Sequence, residues 1–292
     1  METVIVYGID HSPWVQTVLL ALEDQKIPYQ MVHYPLSYFR HGLVFPVCFW
    51  PHKSVKCADS FAIMKMIRCE SEVKDQTESN ILTQQQKQLE KLFLSYVLTR
   101  ATWGNHLNFI KAWAQTADHT PHLGSYILSH VIRAFVMLYF LFLINIAILV
   151  RVCSRMQIYH DHTMRKHLSE WDHILSQQAF LSGDEIGDLD YALLGHIQCM
   201  ATGLTDYVLD VVREYPHLVG WLQQMHQRFT HYDRLYSRRI FDPQVKIKQA
   251  HWSGQLLFYV SLCIQIYFAS YTLILLASAL LLRYRNAART SG

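Results

Sequence analysis

A chain of 292 residues with 26 Lys and Arg against 23 Asp and Glu carries a formal net charge of only +3. Charged residues make up 17% and hydrophobic ones 51%, a balance too weak and too mixed for a nucleic-acid binder, while the length allows one large or two smaller domains with a real core. The six cysteines (48, 57, 69, 153, 199 and 263) form no Cys-x-x-Cys pair and read as reduced thiols of a cytosol-facing protein, not as a disulfide framework.

In chain order, Val4–Tyr7 reads as a buried strand that stops at Gly8, with no charged leader or cleavage site before it, so no cleavable secretion signal is expected. A helix opens at Ser12-Pro13. Ser is a preferred N-cap, and Pro lacks the N–H that would go unpaired at the next position. Val15, Val18, Leu19 and Leu22 then continue as an apolar face at helical spacing. A hydroxyl at a helix N-terminus, beside unpaired N–H groups and the positive end of the dipole, suits an anion, and a thiolate is one such anion. The alternative is that Ser12 merely caps its helix. Ile27-Pro28 marks a turn, and Tyr29–Tyr34 alternates like a strand that Pro35 closes. A polar loop leads into Leu43–Trp50, an apolar run broken by Pro46; proline there belongs at a strand edge or start, or in a cis bond. Pro51–Ser54 is a turn and Val55–Cys57 a short strand, after which Asp59-Ser60 opens a helix carrying Phe61, Ile63, Met64 and Ile67.

This order of strand, helix, strand, strand pair and helix, with Ser12-Pro13-Trp14, Phe45-Pro46-Val47 and Asp59-Ser60-Phe-Ala-Ile63, resembles the thioredoxin-like half of the glutathione transferase superfamily. The resemblance implies that Ser12 donates a hydrogen bond to the glutathione thiolate, with Tyr7 as the rival donor. It implies a cis Pro46, main-chain pairing of Phe45 with the tripeptide, and capture of its γ-glutamyl end by Asp59 and Ser60. Two departures stand out. Tyr34–Val44 is too short for the further helix the family usually places there, and Val15-Gln16-Thr17 supplies no basic residue after the serine.

Glu70–Asn80 is polar and without an apolar period, a linker between residues 1–70 and a helical half expected over 81–245. Ile81–Arg100 predicts a long amphipathic helix, Trp103–Gly124 an irregular stretch, and Gln157–Gln178 a helix with Met164, Leu168, Trp171, Ile174 and Leu175 on one side. Phe180–Ala192 resembles the family's turn before its most buried helix; Asp190 matches the reciprocal cap, whereas Gly187 replaces the usual hydroxyl residue. Asp190 is structural in this reading. Tyr215-Pro216 through Trp221 to Met225 resembles a late, Pro-opened helix of the same fold. The 17 histidines are densest at His160-Asp-His162, but none makes the spacing a zinc site wants, so no metal is expected.

Two apolar blocks interrupt this pattern. Ser253–Leu282 contains no Asp, Glu, Lys or Arg, and as a helix reaches about 45 Å against roughly 30 Å of hydrocarbon. Lys246 and Lys248 precede it, Arg283, Arg285 and Arg289 follow, and Trp252, Tyr259 and Tyr284 lie near its ends. It reads as a tilted span, so residues 246–292 are expected to form a C-terminal membrane anchor and tail. Ala134–Val150, bordered by Arg133 and Arg151, is marginal for a span. A crossing there would separate halves that the fold requires to pack together. It therefore dips into the bilayer and returns, or lies against the anchor or another subunit, or is an unusually apolar core helix.

The expected fold is thus an α/β thioredoxin-like domain followed by an all-α transferase-like domain, with membrane-embedded helices. The first functional reading is a membrane-anchored, cytoplasm-facing glutathione transferase conjugating or reducing apolar small molecules, with glutathione as co-substrate and Trp14, Trp103 and His106 lining the second pocket. The alternative is a non-catalytic module or scaffold on a membrane, as in the metaxin, ganglioside-induced differentiation and failed-axon-connection groups. A homodimer or a membrane-protein partner is compatible with either reading.

Overall fold

The computed structural model describes residues 3–8, 12–32, 46–70, 89, 106–115, 123–153, 161–201, 206–245 and 250–290. The linker at 71–80 and the helix expected over 81–100 lie outside these residues, apart from Leu89, which is helical and buried.

Four strands, β1 (Val4–Tyr7), β2 (Tyr29–Val32), β3 (Val47–Trp50) and β4 (Val55–Ala58), form one sheet in the order β2-β1-β3-β4. β1 runs parallel to β2, with Val4 opposite Tyr29. β3 is antiparallel to both β1 and β4. The crossover between β1 and β2 is α1 (Pro13–Asp24), as a parallel pair requires. Val4 and Val6 are buried while Ile5 and Tyr7 are half-buried, the two-residue alternation of a strand with one well-covered face. α2 (Ser60–Glu70) follows β4 and adds Ile63, Met64 and Ile67 to the core.

Every residue of α1 from Val15 to Leu22 is buried. A helix with one apolar stripe cannot achieve that; α1 is covered on two sides, by the sheet layer and by α6 (Asp188–Met200), all of which is buried. The polar residues of α1 are accommodated by bonding. Thr17 Oγ1 donates to the Pro13 carbonyl at 2.9 Å, and Gln16 Oε1 accepts from Tyr232 Oη at 2.8 Å. Gly195 of α6 makes the close approach possible. A Cβ there would lie 2.6 Å from Thr17 Oγ1, 2.7 Å from the Pro13 carbonyl oxygen and 2.8 Å from the Thr17 nitrogen. Charged groups stitch the same junction: Asp24 accepts from Tyr191 Oη at 2.6 Å and is clasped by Arg228, and Arg68 of α2 pairs with Asp188.

The helical half comprises α5 (Asp161–Leu175), α6, α7 (Asp206–Arg213), α8 (Pro216–Arg228) and a 3-10 turn at Tyr236–Ile240. Its residues join those of the sheet, α1 and α2 in one hydrophobic core. Tyr215 precedes α8 without a capping side chain; Asp172 of α5 supplies the acceptor instead, bonding the Leu218 N–H at 2.8 Å. Asp190 meets the expected reciprocal role at Gly187, accepting its N–H at 3.0 Å, and also takes Leu181 N–H, Ser182 N–H and Trp221 Nε1–H at 2.8, 3.3 and 2.8 Å.

Residues 106–115, read from the sequence as irregular, form helix α3 (His106–Gln115). Phe109 and Ala114 are buried there against elements more than a hundred residues away in part, which local pattern cannot reveal. The apolar block at 134–150 sits within a 31-residue helix, α4 (Leu123–Cys153), and the C-terminal block within the 39-residue α9 (Trp252–Thr290). The sequence reading placed 134–150 in the helical half and left open that it lies against the C-terminal helix. In the structure Ala134 and Met137 do share a second apolar cluster with Phe258 and Leu262 of that helix, and with Phe109.

One buried histidine, His196, and one half-buried one, His226, make this core pH-sensitive. Burial lowers the His196 pKa to about 4 against an opposing bond from Nδ1 to the Ala192 carbonyl, and burial followed by Arg238 lowers that of His226 to about 4. Both are neutral when folded, whereas the unfolded chain takes up protons below about pH 6.5. Stability is therefore complete above that pH and is lost as pH falls toward 4, by roughly 3 kcal/mol for His196. A melting temperature that is flat between pH 8 and 7 and declines from 6.5 to 4, less steeply in His196→Gln, is the expected result. An unchanged slope in that variant would count against it.

Candidate functional site

The residues expected to carry chemistry start far apart in sequence, and strand register brings their attachment points to one end of the sheet. Tyr7, the last residue of β1, lies opposite Val47, the first of β3. Val47 lies in turn opposite Ala58, the last of β4. Ser12 follows β1, Pro46 immediately precedes β3, and Asp59-Ser60 follows β4, so all three segments open on the same edge. Phe45 lies outside the described residues; Pro46 is buried.

Ser12 occupies the N-cap of α1 in extended conformation (φ −82°, ψ 125°), with Pro13 next. Its carbonyl accepts the Gln16 N–H at 3.0 Å, but its side chain makes no capping bond. The residue is partly exposed. The first turn of α1 holds no acidic residue. Tyr7 leaves β1 on the face opposite the buried Val4 and Val6, whereas Ser12 heads the helix that covers those valines.

Asp59 is exposed and held at φ +84°, a left-handed conformation that Asp tolerates better than most residues. Its Oδ1 accepts the Phe61 and Ala62 N–H groups, both at 3.0 Å, so it does cap α2. Oδ2 takes no part in that cap. Ser60, in the first turn of α2, is 4% exposed. The nearby thiols are not competing nucleophiles. Partial burial and then the Asp59 charge push the Cys57 thiol up, and burial pushes Cys48, directly opposite on β3, well up.

Of the second-pocket residues, Trp14 is wedged between α2 and α6, its ring 6.5 Å from that of Phe61 and 4.5 Å edge-on to that of His196. Trp103 lies outside the described residues, and of His106 only its place at the start of α3 is described. Sequence reasoning overlooked Gly195 and Asp24. A glycine inside a wholly apolar helical run signals close approach of another backbone; nothing local marks Asp24, whose partners are Tyr191 and Arg228.

No protein-family model matches the sequence, and no curated protein matches it either. Solved structures match the fold. A glutathione S-transferase of Methylobacillus flagellatus, solved with glutathione bound, is 12% identical with a TM-score of 0.50; the match covers 80% of this chain and 98% of that one. A glutathione S-transferase of Methylobacterium radiotolerans, in complex with glutathione sulfonate, is 14% identical with a TM-score of 0.50, covering 80% and 95%. The fold is that of the glutathione transferases, a thioredoxin-like sheet domain joined to a helical domain.

Proposed function

We propose that this protein is a glutathione transferase held at a membrane by α9, joining the glutathione sulfur to apolar electrophiles. The observation that carries the reading is the convergence of a hydroxyl that does not cap its own helix N-terminus, a proline-led strand and an exposed aspartate at one end of the sheet. The Ser12 hydroxyl donates to the thiolate and, with the α1 dipole, favours it over the thiol, whose proton passes to solvent; the thiolate then forms the C–S bond as the electrophile's leaving group departs with its bonding pair or, at an activated double bond, as the π pair shifts to the neighbouring carbon, which takes a proton from solvent. Tyr7 is the rival donor. The backbone flanking Pro46, at Phe45, pairs with the peptide, and Asp59 Oδ2 with Ser60 receives the ammonium end of the γ-glutamyl group. Among the described residues α9 is the one helix long and apolar enough to cross a membrane, over Trp252–Thr272. Anchoring there, with the folded part facing the cytoplasm, would concentrate apolar substrates beside the site.

Titration calorimetry of the detergent-solubilised full chain tests this. Ser12→Ala is expected to bind glutathione with its thiol pKa raised by about one unit, the equivalent of a charge-assisted bond of about 1.4 kcal/mol. Asp59→Asn is the cleaner probe of the other end. Asn keeps the cap and the left-handed backbone but removes the charge, so affinity should fall about tenfold with no change in melting temperature. No binding at millimolar glutathione ends the enzymatic reading. It would favour the non-catalytic scaffold, which the short connection at 33–45 also suits.

A further inference from the structure

α4 and α9 pack against each other through a polar collar and, past it, an apolar seam. At the collar, Tyr126 Oη lies 3.2 Å from Ser253 Oγ. Arg133 Nη2 lies 2.6 Å from His130 Nδ1, and its guanidinium carbon 5.4 Å from the Phe258 ring centroid. Gly254 allows the contact, since a Cβ there would stand 2.5 Å from His130 Nε2 and from Tyr126 Oη. Gln265 Nε2 donates to the Val131 carbonyl at 2.9 Å. Past Arg133 no charged residue occurs until Arg151. One side of α4, through Ala134 and Met137, is buried with Phe258 and Leu262. The other presents Phe135, Tyr139, Phe142 and Ile146, each more than a third exposed. Their spacing of four, three and four residues makes a single stripe along the helix.

Chain length limits what this stripe can face. α5, which begins at Asp161, shares its core with the sheet and α1. Eight residue steps separate Cys153 from Asp161, a reach of roughly 28 Å at full extension. Recrossing about 30 Å of hydrocarbon on such a tether would place unpaired backbone in lipid, which bilayers do not tolerate. α4 cannot end on the far side while α5 remains docked.

Building on the reading of α9 as an anchor, we propose that α4 is a second membrane element that does not cross: its Phe135–Tyr139–Phe142–Ile146 stripe rests in the leaflet nearest the folded domains. The occupant of the face is lipid. α9, which packs on the same helix, likewise exposes Leu256, Tyr259, Val260 and Ile264, and the charge-free run of α4 starts just past Arg133. Aromatic rings dominate the stripe nearest the collar, as suits an interface.

Photocrosslinking of the full chain in sealed phosphatidylcholine vesicles tests this, with a biotinylated phospholipid added to the outer leaflet and the folded part outside. Benzoylphenylalanine is placed at position 146 or, in a separate variant, at 274 in α9. The expected result is an adduct of position 146 with the biotinylated lipid. Adducts at 146 only with unlabelled lipid, a cross-link to a second copy, or no adduct at all would overturn the proposal. An absence of lipid adducts at 274 would overturn the anchor reading itself, so the two failures are distinguishable.

Discussion

Asp190→Ala is expected to leave a protein whose helical half does not stay folded at 37 °C. Asp190 is fully buried and receives four N–H donors: Leu181, Ser182, Gly187 and the indole of Trp221. Burial raises its pKa, and the bonds from the Gly187 and Leu181 N–H groups, the Trp221 indole and the Ser182 side chain oppose that rise. Alanine removes the acceptor and keeps the donors. Leu181 and Trp221 are themselves buried, and an orphaned buried donor costs about 1–3 kcal/mol. With the lost cap of α6, the sum is about 4 kcal/mol or more, a large share of the 5–15 kcal/mol typical of a whole domain. Asp190→Asn should lie between. Its carbonyl oxygen still serves Leu181 and Trp221, but its amide turns N–H toward the Ser182 and Gly187 donors. Circular dichroism melts of the three proteins decide it, and an alanine variant melting within a few degrees of the parent would refute the assignment.

Gly195→Val is the second large effect. The new Cβ alone would stand 2.7 Å from the Pro13 carbonyl oxygen and 2.8 Å from the Thr17 nitrogen, and both are backbone atoms that no rotamer change can move. α6 must therefore retreat from α1. Even Gly195→Ala is expected to cost about 2–4 kcal/mol, despite alanine's better helix propensity, or roughly 5–15 °C in melting temperature. Because the displaced turn is the one headed by Ser12, the proposed glutathione site should be disturbed along with stability. Gly220→Ala is the control. It sits in α8 with nothing within 4 Å of its virtual Cβ, so there the usual helix preference should prevail and stability should rise by about 0.5–1 kcal/mol. If the two alanine variants behave alike, close approach is not what Gly195 provides.

Much of the local structure at the candidate site was legible because adjacent residues set it. Ser12-Pro13 and Asp59-Ser60 are helix starts, and helix starts are written in adjacent residues. The structure confirms both and separates their roles. The Ser12 side chain makes no capping bond while Asp59 caps through Oδ1. Asp190 was likewise legible as half of a reciprocal cap, but its bond to Trp221 crosses 31 residues and no motif spans that gap.

Taken by itself, the order of amino acids determined the periodic features: four short β segments in their sequence, the helix-opening motifs, and two charge-free apolar runs. Each depends on neighbours within a turn or two, where backbone sterics and hydrogen bonding act directly. Tertiary structure alone decided which faces meet. It set α6 against α1 at Gly195 and paired α4 with α9. Through the register Tyr7–Val47–Ala58 it carried three distant helix and strand starts to one edge. Apolar periodicity says that a face must be buried and not against what, because the hydrophobic effect is non-directional and the choice of partner falls to shape and close packing.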